Sequence, residues 1–145
     1  CEAHLIYGKA AMNLDSNDVA DKEFKTLIKI TESEMSAEAR YDLALIQFNK
    51  KDYKKSIEVV NDLIKMVPSY DYWIAKGFIL LGDDYLMQED AFQAKHTWQS
   101  ILDNYEGEDL KAIAQQKIDD LKKKEDEQKP KDIKDDKPKE EEENK

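Results

Sequence analysis

Few side chains in this sequence are suited to catalysis or metal binding, and they lie far apart along the chain. The two histidines are His4 and His96, and neither lies among the several histidine and cysteine ligands that must converge at a metal site. The single cysteine, Cys1, has no partner for an internal disulfide. We therefore predict no metal site, no cofactor and no nucleophilic catalysis, and we expect both histidines to be surface or partly buried helix residues.

Asp83 and Asp84 form the only acidic pair within an apolar, helix-like stretch. Paired carboxylates can divide the roles of general acid and general base. Successive helical residues point about 100° apart, however, so these two side chains face different directions. We expect one of them to face solvent or a binding groove, and we predict that the protein is not an enzyme.

The overall composition favours a water-soluble helical protein of one domain. Its 145 residues include only 4 glycines and 3 prolines, and 39% of them are charged. Asp and Glu number 33 against 23 Lys and Arg, which disfavours nucleic acid as a partner because an acidic surface repels phosphate. No run approaches the roughly 18 apolar residues that a membrane span needs, so we predict no membrane insertion by this segment.

Apolar residues spaced close to the helical period predict about seven helices that must position these groups. Polar residues that can accept from free amides mark several helix starts. We expect these caps to be Ser16 or Asn17, Ser36, Asp52 and Asp90. Pro68 is expected to end the fourth helix at about Val67, because proline lacks an amide hydrogen and clashes with the preceding turn.

A pattern of large and small residues recurs three times along the chain. In the middle segment, the neighbours Leu43 and Ala44 are followed by Ser56 and Val60. A shift of 36 residues backward, and one of 38 forward, finds equivalent types. The equivalent residues are Tyr7, Gly8, Ala20 and Phe24 in the first segment and Leu81, Gly82, Ala94 and Trp98 in the third. We predict three helix pairs, with small residues where helices touch and larger ones packed behind them.

This recurring pattern resembles the tetratricopeptide repeat (TPR) family, whose unit of about 34 residues forms two antiparallel helices. The third segment matches best, although Gln47 stands where the second would have an aromatic residue and the first has no closing proline. The resemblance implies an all-α solenoid. Its parts would be three helix pairs in residues 1–34, 37–70 and 75–108 and a capping helix over 109–121 or slightly longer.

In TPR proteins the first helix of each unit lines a concave surface that binds peptide segments or protein domains. The resemblance implies a groove lined by Leu5, Lys9, Met12, Glu38, Tyr41, Leu45, Phe48, Lys76, Ile79, Asp83 and Leu86. Its mixture of apolar and charged residues suits an amphipathic helix or an extended segment. We predict a non-catalytic protein-interaction scaffold with a protein or peptide partner. The alternative is a structural module that self-associates through its exposed first helix.

Two further groups of residues bear on the groove. Some family members grip a C-terminal carboxylate with lysine, arginine and asparagine; Lys9 and Lys76 lack the companion asparagines, so we predict no such clamp. The neighbouring aromatic residues Tyr70, Tyr72 and Trp73 can anchor a peptide or pack one helix pair on the next, and we favour packing.

The two ends of the chain carry separate expectations. Cys1 is either the lipidated terminus of a bacterial lipoprotein or an ordinary residue in a helix from a longer array, and the helical pattern directly after it favours the second. The resemblance is closest to C-terminal repeats of larger bacterial envelope proteins. A periplasmic or outer-membrane-associated location and further units before residue 1 are therefore expected. Residues 122–145 hold nine lysines and ten acidic residues, and we predict a disordered or frayed tail.

Overall fold

Seven α-helices joined by short turns make up the computed structural model, which describes residues 1–130. No strand is present in this part of the chain. The helices are α1 (Glu2–Asn13), α2 (Asn17–Ile30), α3 (Glu34–Asn49), α4 (Tyr53–Ile64), α5 (Asp71–Met87), α6 (Ala91–Asn104) and α7 (Glu108–Gln128).

The helices stack in chain order and curve toward one side. Each helix contacts the next, and α1, α3, α5 and α7 also contact one another in sequence, whereas α2, α4 and α6 make no mutual contacts in the described residues. The odd-numbered helices therefore line the inner, concave side, and the even-numbered helices lie on the outer side. The predicted all-α solenoid is confirmed.

The same turn connects the two helices of each pair. Each turn contains one residue in the left-handed conformation: Asp15 (φ 56°), Lys51 (φ 62°) and Glu89 (φ 63°). The amide of the following residue donates to the carbonyl five residues earlier, over 2.8 to 2.9 Å in all three turns. Left-handed conformations are uncommon outside glycine. Their recurrence at offsets of 36 and 38 residues supports the repeat register read from the sequence.

Small residues of each first helix lie against large residues of its partner. A Cβ atom at Gly82 would lie only 2.5 Å from Cδ1 of Trp98, and one at Gly8 would lie 2.8 Å from Cδ1 of Phe24. At the equivalent place in the middle pair, Ala44 belongs to the same buried cluster as Val60. The absent or short side chains let the helices approach closely enough to bury the large residues.

Three of the four predicted caps occupy the N-cap position and one is wrong. Ser16 is the N-cap of α2, although its side chain makes no capping hydrogen bond. Asp52 accepts from the amide of Lys55 at 3.2 Å, and Asp90 accepts from that of Gln93 at 3.1 Å. The third helix, in contrast, begins before Ser36, and its N-cap is Ser33. Ser36 occupies the third helical position, where its hydroxyl accepts from the amide of Ser33 at 3.2 Å. Ser33 therefore holds the N-cap position, and the hydroxyl of Ser36 binds the backbone amide of Ser33 at the start of the helix.

The ends of α4 and α7 also differ from the sequence prediction. Helix α4 ends at Ile64 instead of Val67. The residue before a proline is pushed out of the helical region, so the chain leaves the helix ahead of Val67. Helix α7 continues to Gln128, so residues 122–128 of the predicted tail are helical. Lys and Glu are good helix formers, and Glu125 accepts from Lys95 of α6 at 3.2 Å. Residues 131–145 of the predicted tail lie outside the described residues.

Candidate protein-binding groove

The eleven predicted groove residues lie on α1, α3 and α5. Ten of them are half-buried and Lys9 is exposed, so none is fully buried. We call the surface that they form the groove. That these residues bind a partner stays a prediction.

Charged contacts join the inner helices across the centre of the groove. Lys9 of α1 forms an ion pair with Glu38 of α3, and this contact is the main cause that raises the pKa of Lys9. From α5, Asp83 accepts from Lys117 of α7 at 2.8 Å. These pairs tie neighbouring units together, and they leave few uncompensated charges on the groove surface.

The apolar members of the groove also belong to the cores of their own units. Leu5 and Met12 pack on the first buried cluster, and Ile79 and Leu86 on the cluster around Trp98. Leu45 and Phe48 pack on the middle cluster. The ring of Phe48 lies 5.4 Å from that of Tyr53 on α4, so Phe48 sits toward the second helix of its pair.

Three aromatic rings lie beside the charged groove residue Lys76 at the junction of α3 and α5. The ring of Trp73 lies 5.8 Å from that of Tyr41 and 5.2 Å from that of Tyr72. Trp73 packs on the buried cluster of Ala37, Leu63 and Met66, as the packing interpretation predicts. Tyr72 is 42% exposed, so its ring is also open to a ligand. We call Tyr41, Tyr72 and Trp73 the aromatic cluster.

Asp42 is the groove residue that sequence reasoning missed. It is only 7% exposed, and its Oδ2 has no hydrogen-bond partner anywhere in residues 1–130. Burial raises the pKa of Asp42 to about 6, and Glu38 adds to the rise while Lys9 and Lys76 oppose it. The spacing of four residues from Glu38 on the same helix could have indicated its place.

Two carboxylates lie near Tyr41 at the centre of the groove. Burial raises the pKa of Tyr41 to about 12, and the carboxylates of Asp42 and Asp83 raise it further. Burial is the larger cause, because it disfavours the charged phenolate. The ammonium of Lys76 lies over the same ring at 4.5 Å from its centre.

Asp83 and Asp84 point to different sides of α5. Asp83 faces the groove and Lys117, as predicted for one member of the pair. Asp84 is fully buried and accepts a 2.8 Å hydrogen bond from the hydroxyl of Ser56 on α4. Burial raises the pKa of Asp84 to about 7, with the hydrogen bond from Ser56 opposing the rise and Asp83 adding to it. This arrangement separates the carboxylates and makes Asp84 part of the interface between the second and third pairs.

The histidines take the places expected of helix surface residues. Nδ1 of His4 lies 2.6 Å from Oε2 of Glu23, and the ring of His96 lies 6.4 Å from that of Phe92 on the exposed side of α6. No group of three or more His, Cys, Asp or Glu side chains in residues 1–130 is arranged to hold a metal ion. None of the helices described there is both long and apolar enough to cross a membrane.

Comparison with known proteins identifies the architecture. No protein-family model and no curated protein matches this sequence. Among solved structures, the chain is similar to the N-terminal domain of stress-induced protein-1 (STI-1) from C. elegans. The TM-score is 0.66 at 16% identity, with 83% of this chain and 92% of that chain covered. The fold is TPR-like. At this identity the similarity concerns the fold alone, and it confirms the TPR-like fold that the resemblance implied.

The TPR-like arrangement also explains why Lys117 joins the groove. Helix α7 contacts α5 on the inner side, where a further unit would place its first helix. Lys117 reaches Asp83 from there, and its Nζ lies 5.7 Å from the centre of the Trp98 ring. The sequence predicted α7 as a capping helix, and in the structure its Lys117 contacts Asp83 of α5 from the inner side.

Proposed function

We propose that this protein is a non-catalytic scaffold whose groove binds a peptide or protein segment. The observation that carries the proposal is a continuous inner surface of four contacting helices. On it, half-buried apolar side chains and aromatic rings stand beside charges. Such a surface suits an amphipathic helix or an extended segment. The TPR-like fold supports a protein partner.

The two groove lysines support a partner other than a C-terminal carboxylate. Lys9 is already paired with Glu38, and the ammonium of Lys76 lies over the ring of Tyr41 at 4.5 Å. A carboxylate clamp needs cations and amide donors that converge on one ligand group. These lysines instead contact groups of the protein itself. The proposed partner therefore binds through its side chains and not through its C-terminal carboxylate.

Selection of binders from a library of random displayed peptides tests the groove while the natural partner is still unidentified. We expect the Tyr41→Ala/Phe48→Ala double variant to bind the selected peptides at least about tenfold more weakly, because aromatic anchors dominate such interfaces. The measurement is calorimetric titration of each peptide. Thermal unfolding of the variant accompanies it, since both rings also pack on the middle cluster.

Phe92 supplies the matched control. It lies on α6, on the outer side, and is 77% exposed. Phe92→Ala should leave the selected peptides bound with unchanged affinity. Peptides that lose affinity with Phe92→Ala and keep it with the groove variant would place the binding surface on the outer face and contradict the proposal.

A second proposed function is assembly through the exposed face of α1 at the free end of the helix stack. Tyr7 is 68% exposed, whereas its equivalents Leu43 and Leu81 are 5% and 6% exposed. Those two are covered by the second helix of the preceding pair: Leu43 clusters with Phe24 of α2, and Leu81 with Val60 of α4. The face around Tyr7 therefore fits the second helix of a further unit in a longer chain that contains this one, or the same face of a second copy.

Sedimentation at increasing protein concentration tests the self-association form of this proposal. We expect a dimer or larger species that Tyr7→Glu converts to a monomer, because a buried carboxylate without a partner opposes association. Lys29→Glu, on an exposed position of α2, is the control that should keep the assembly. A wild-type protein that stays monomeric at every concentration would rule out self-association and leave only stacking within a longer chain.

A further inference from the structure

The aromatic cluster already holds a cation, which comes from the protein itself. The Nζ of Lys76 lies 4.5 Å from the ring centre of Tyr41, 5.1 Å from that of Trp73 and 5.8 Å from that of Tyr72. An ammonium within about 6 Å of several ring centres is attracted by the negative ring faces. The three rings thus form a cage with the size and polarity that a cationic side chain requires.

A carboxylate without a matching cation lies beside this cage. Oδ2 of Asp42 is buried and has no hydrogen-bond partner in residues 1–130. Lys76 and Lys9 act on Asp42 through space, but within these residues no ion pair shorter than 4.0 Å joins either lysine to it. Lys9 is held by Glu38, and Lys76 by the rings. Buried carboxylates are usually paired or hydrogen-bonded, so Asp42 is the group from which a ligand cation would gain most.

We infer that the groove recognises a lysine or arginine side chain of its protein partner, which replaces Lys76 on the aromatic cluster and pairs with Asp42. This inference rests on the proposed function and specifies its partner. The exchange replaces one cation by another, so the rings stay occupied and the displaced Lys76 ammonium returns to water. What the incoming chain adds is the direct ion pair with Asp42, which Lys76 does not form.

Charge on the rest of the protein agrees with a basic partner. The chain carries a net charge of −10, although the groove carboxylates of Glu38 and Asp83 are already paired with Lys9 and Lys117. Opposite charge on the partner would speed its approach and fix the register in which it binds. A basic segment is therefore attracted to the groove before the specific contacts form.

The inference also sets a pH dependence for binding. The groups that act on the Asp42 carboxyl are Lys9 from α1, Glu38 from α3 and Lys76 from α5, and burial outweighs them to place its pKa at about 6. A ligand cation binds the ionised carboxylate, so affinity should be full above this pH and fall as the pH drops below it.

Short acetylated and amidated peptides of alternating leucine and glutamine, with a central lysine, glutamine or glutamate, test the inference. We expect the lysine peptide to bind about tenfold more tightly than the glutamine peptide, as an ion pair and ring contacts together predict. Asp42→Asn should abolish this preference. Lys76→Ala should tighten binding of the lysine peptide about threefold, because it removes the internal competitor. Affinities come from titrations followed by tryptophan fluorescence and by the ring resonances of Tyr41 and Tyr72.

The controls separate this inference from the proposed function. Lys29→Ala changes an exposed lysine of α2 and should leave every affinity unchanged. Asp42→Asn preserves side-chain shape, and its circular dichroism spectrum and thermal unfolding check that it folds. Weaker binding by Lys76→Ala, or equal binding of all three peptides, would overturn the inference. The proposed function would stand in that case if Tyr41→Ala/Phe48→Ala still weakened peptide binding by at least about tenfold. Peptides whose affinity is unchanged by the double variant and by Asp42→Asn would overturn both the inference and the proposed function.

Discussion

Replacing Asp84 by asparagine is expected to remove most of the pH dependence of folding stability between pH 4 and pH 7. The ordinary aspartate pKa of 3.8 is raised to about 7 in the folded protein, chiefly by burial. The folded state therefore binds this proton more tightly than the unfolded state does. The stabilising contribution of the protonated carboxyl is complete below the unfolded pKa of 3.8 and is lost as the pH rises toward 7.

The size of this effect follows from the shift in pKa. Each pKa unit corresponds to about 1.4 kcal/mol, so ionisation of Asp84 lowers the free energy of unfolding by up to about 4 kcal/mol. Asparagine stays neutral and can still accept from the hydroxyl of Ser56. Asp84→Asn should therefore be more stable than the wild type at pH 8, by about 2 kcal/mol or more after allowing for its buried amide hydrogens.

Urea unfolding monitored by circular dichroism from pH 4 to pH 8 measures this difference. The pKa of Asp42 is raised to about 6, so its ionisation also lowers the free energy of unfolding as the pH rises. The Asp84→Asn variant should keep this smaller part of the pH dependence. Ser56→Ala is the matched control: it removes the donor that favours the carboxylate and should destabilise the protein more at pH 8 than at pH 4. An unchanged pH profile in Asp84→Asn would show that Asp84 is not the titrating group.

Replacing Gly82 by leucine is expected to lower the free energy of unfolding by about 3 kcal/mol or more. The first side-chain carbon would already overlap the indole of Trp98, whose Cδ1 would lie 2.5 Å away. The indole cannot easily yield, because it is buried and its Nε1 donates to the carbonyl of Ile79 at 3.1 Å. Thermal and urea unfolding, analysed together, give the change in stability.

Gly77 provides the comparison within the same helix. A Cβ atom there would lie 3.1 Å from Cδ2 of Leu63, a flexible chain end that can shift. Gly77→Ala should therefore be close to neutral, since alanine gains up to about 1 kcal/mol of helix propensity against a small repacking cost. Equal effects of Gly77→Ala and Gly82→Ala would contradict the repeat register, which places the tight contact at Gly82 alone.

Local sequence signals predicted the helices well because their causes are local. Asp52 and Asp90 begin helices since a short carboxylate reaches the amide three residues ahead. The pairing of Gly8 with Phe24 and of Gly82 with Trp98 could be read from spacing, because a missing side chain and a large one must face each other. The start of α3 was misplaced because Ser33 and Ser36 are both good caps, and only the backbone decides between them.

The groove was predicted less completely, because its chemistry depends on contacts between helices far apart in sequence. Helical register placed Tyr41, Lys76 and Asp83 on inner faces. It did not reveal that Lys76 would lie over three rings or that Lys117 of α7 would reach Asp83. The spacing of Asp42 from Glu38 could have placed it on the groove side of α3, but its burial appears only once α1 and α5 flank it.

Seven helices, their pairing and the repeat that stacks them follow from the sequence alone, because side-chain period, helix caps and residue size act over a few residues. Packing between the helix pairs sets which carboxylates are buried, which cations are paired and where an aromatic cage forms. Those properties depend on distances of a few ångströms between units, and such distances are set by how the helix pairs pack against one another. Asp83 and Asp84 illustrate the division: they are neighbours in sequence, yet packing gives one a lysine in the groove and the other a serine in the core.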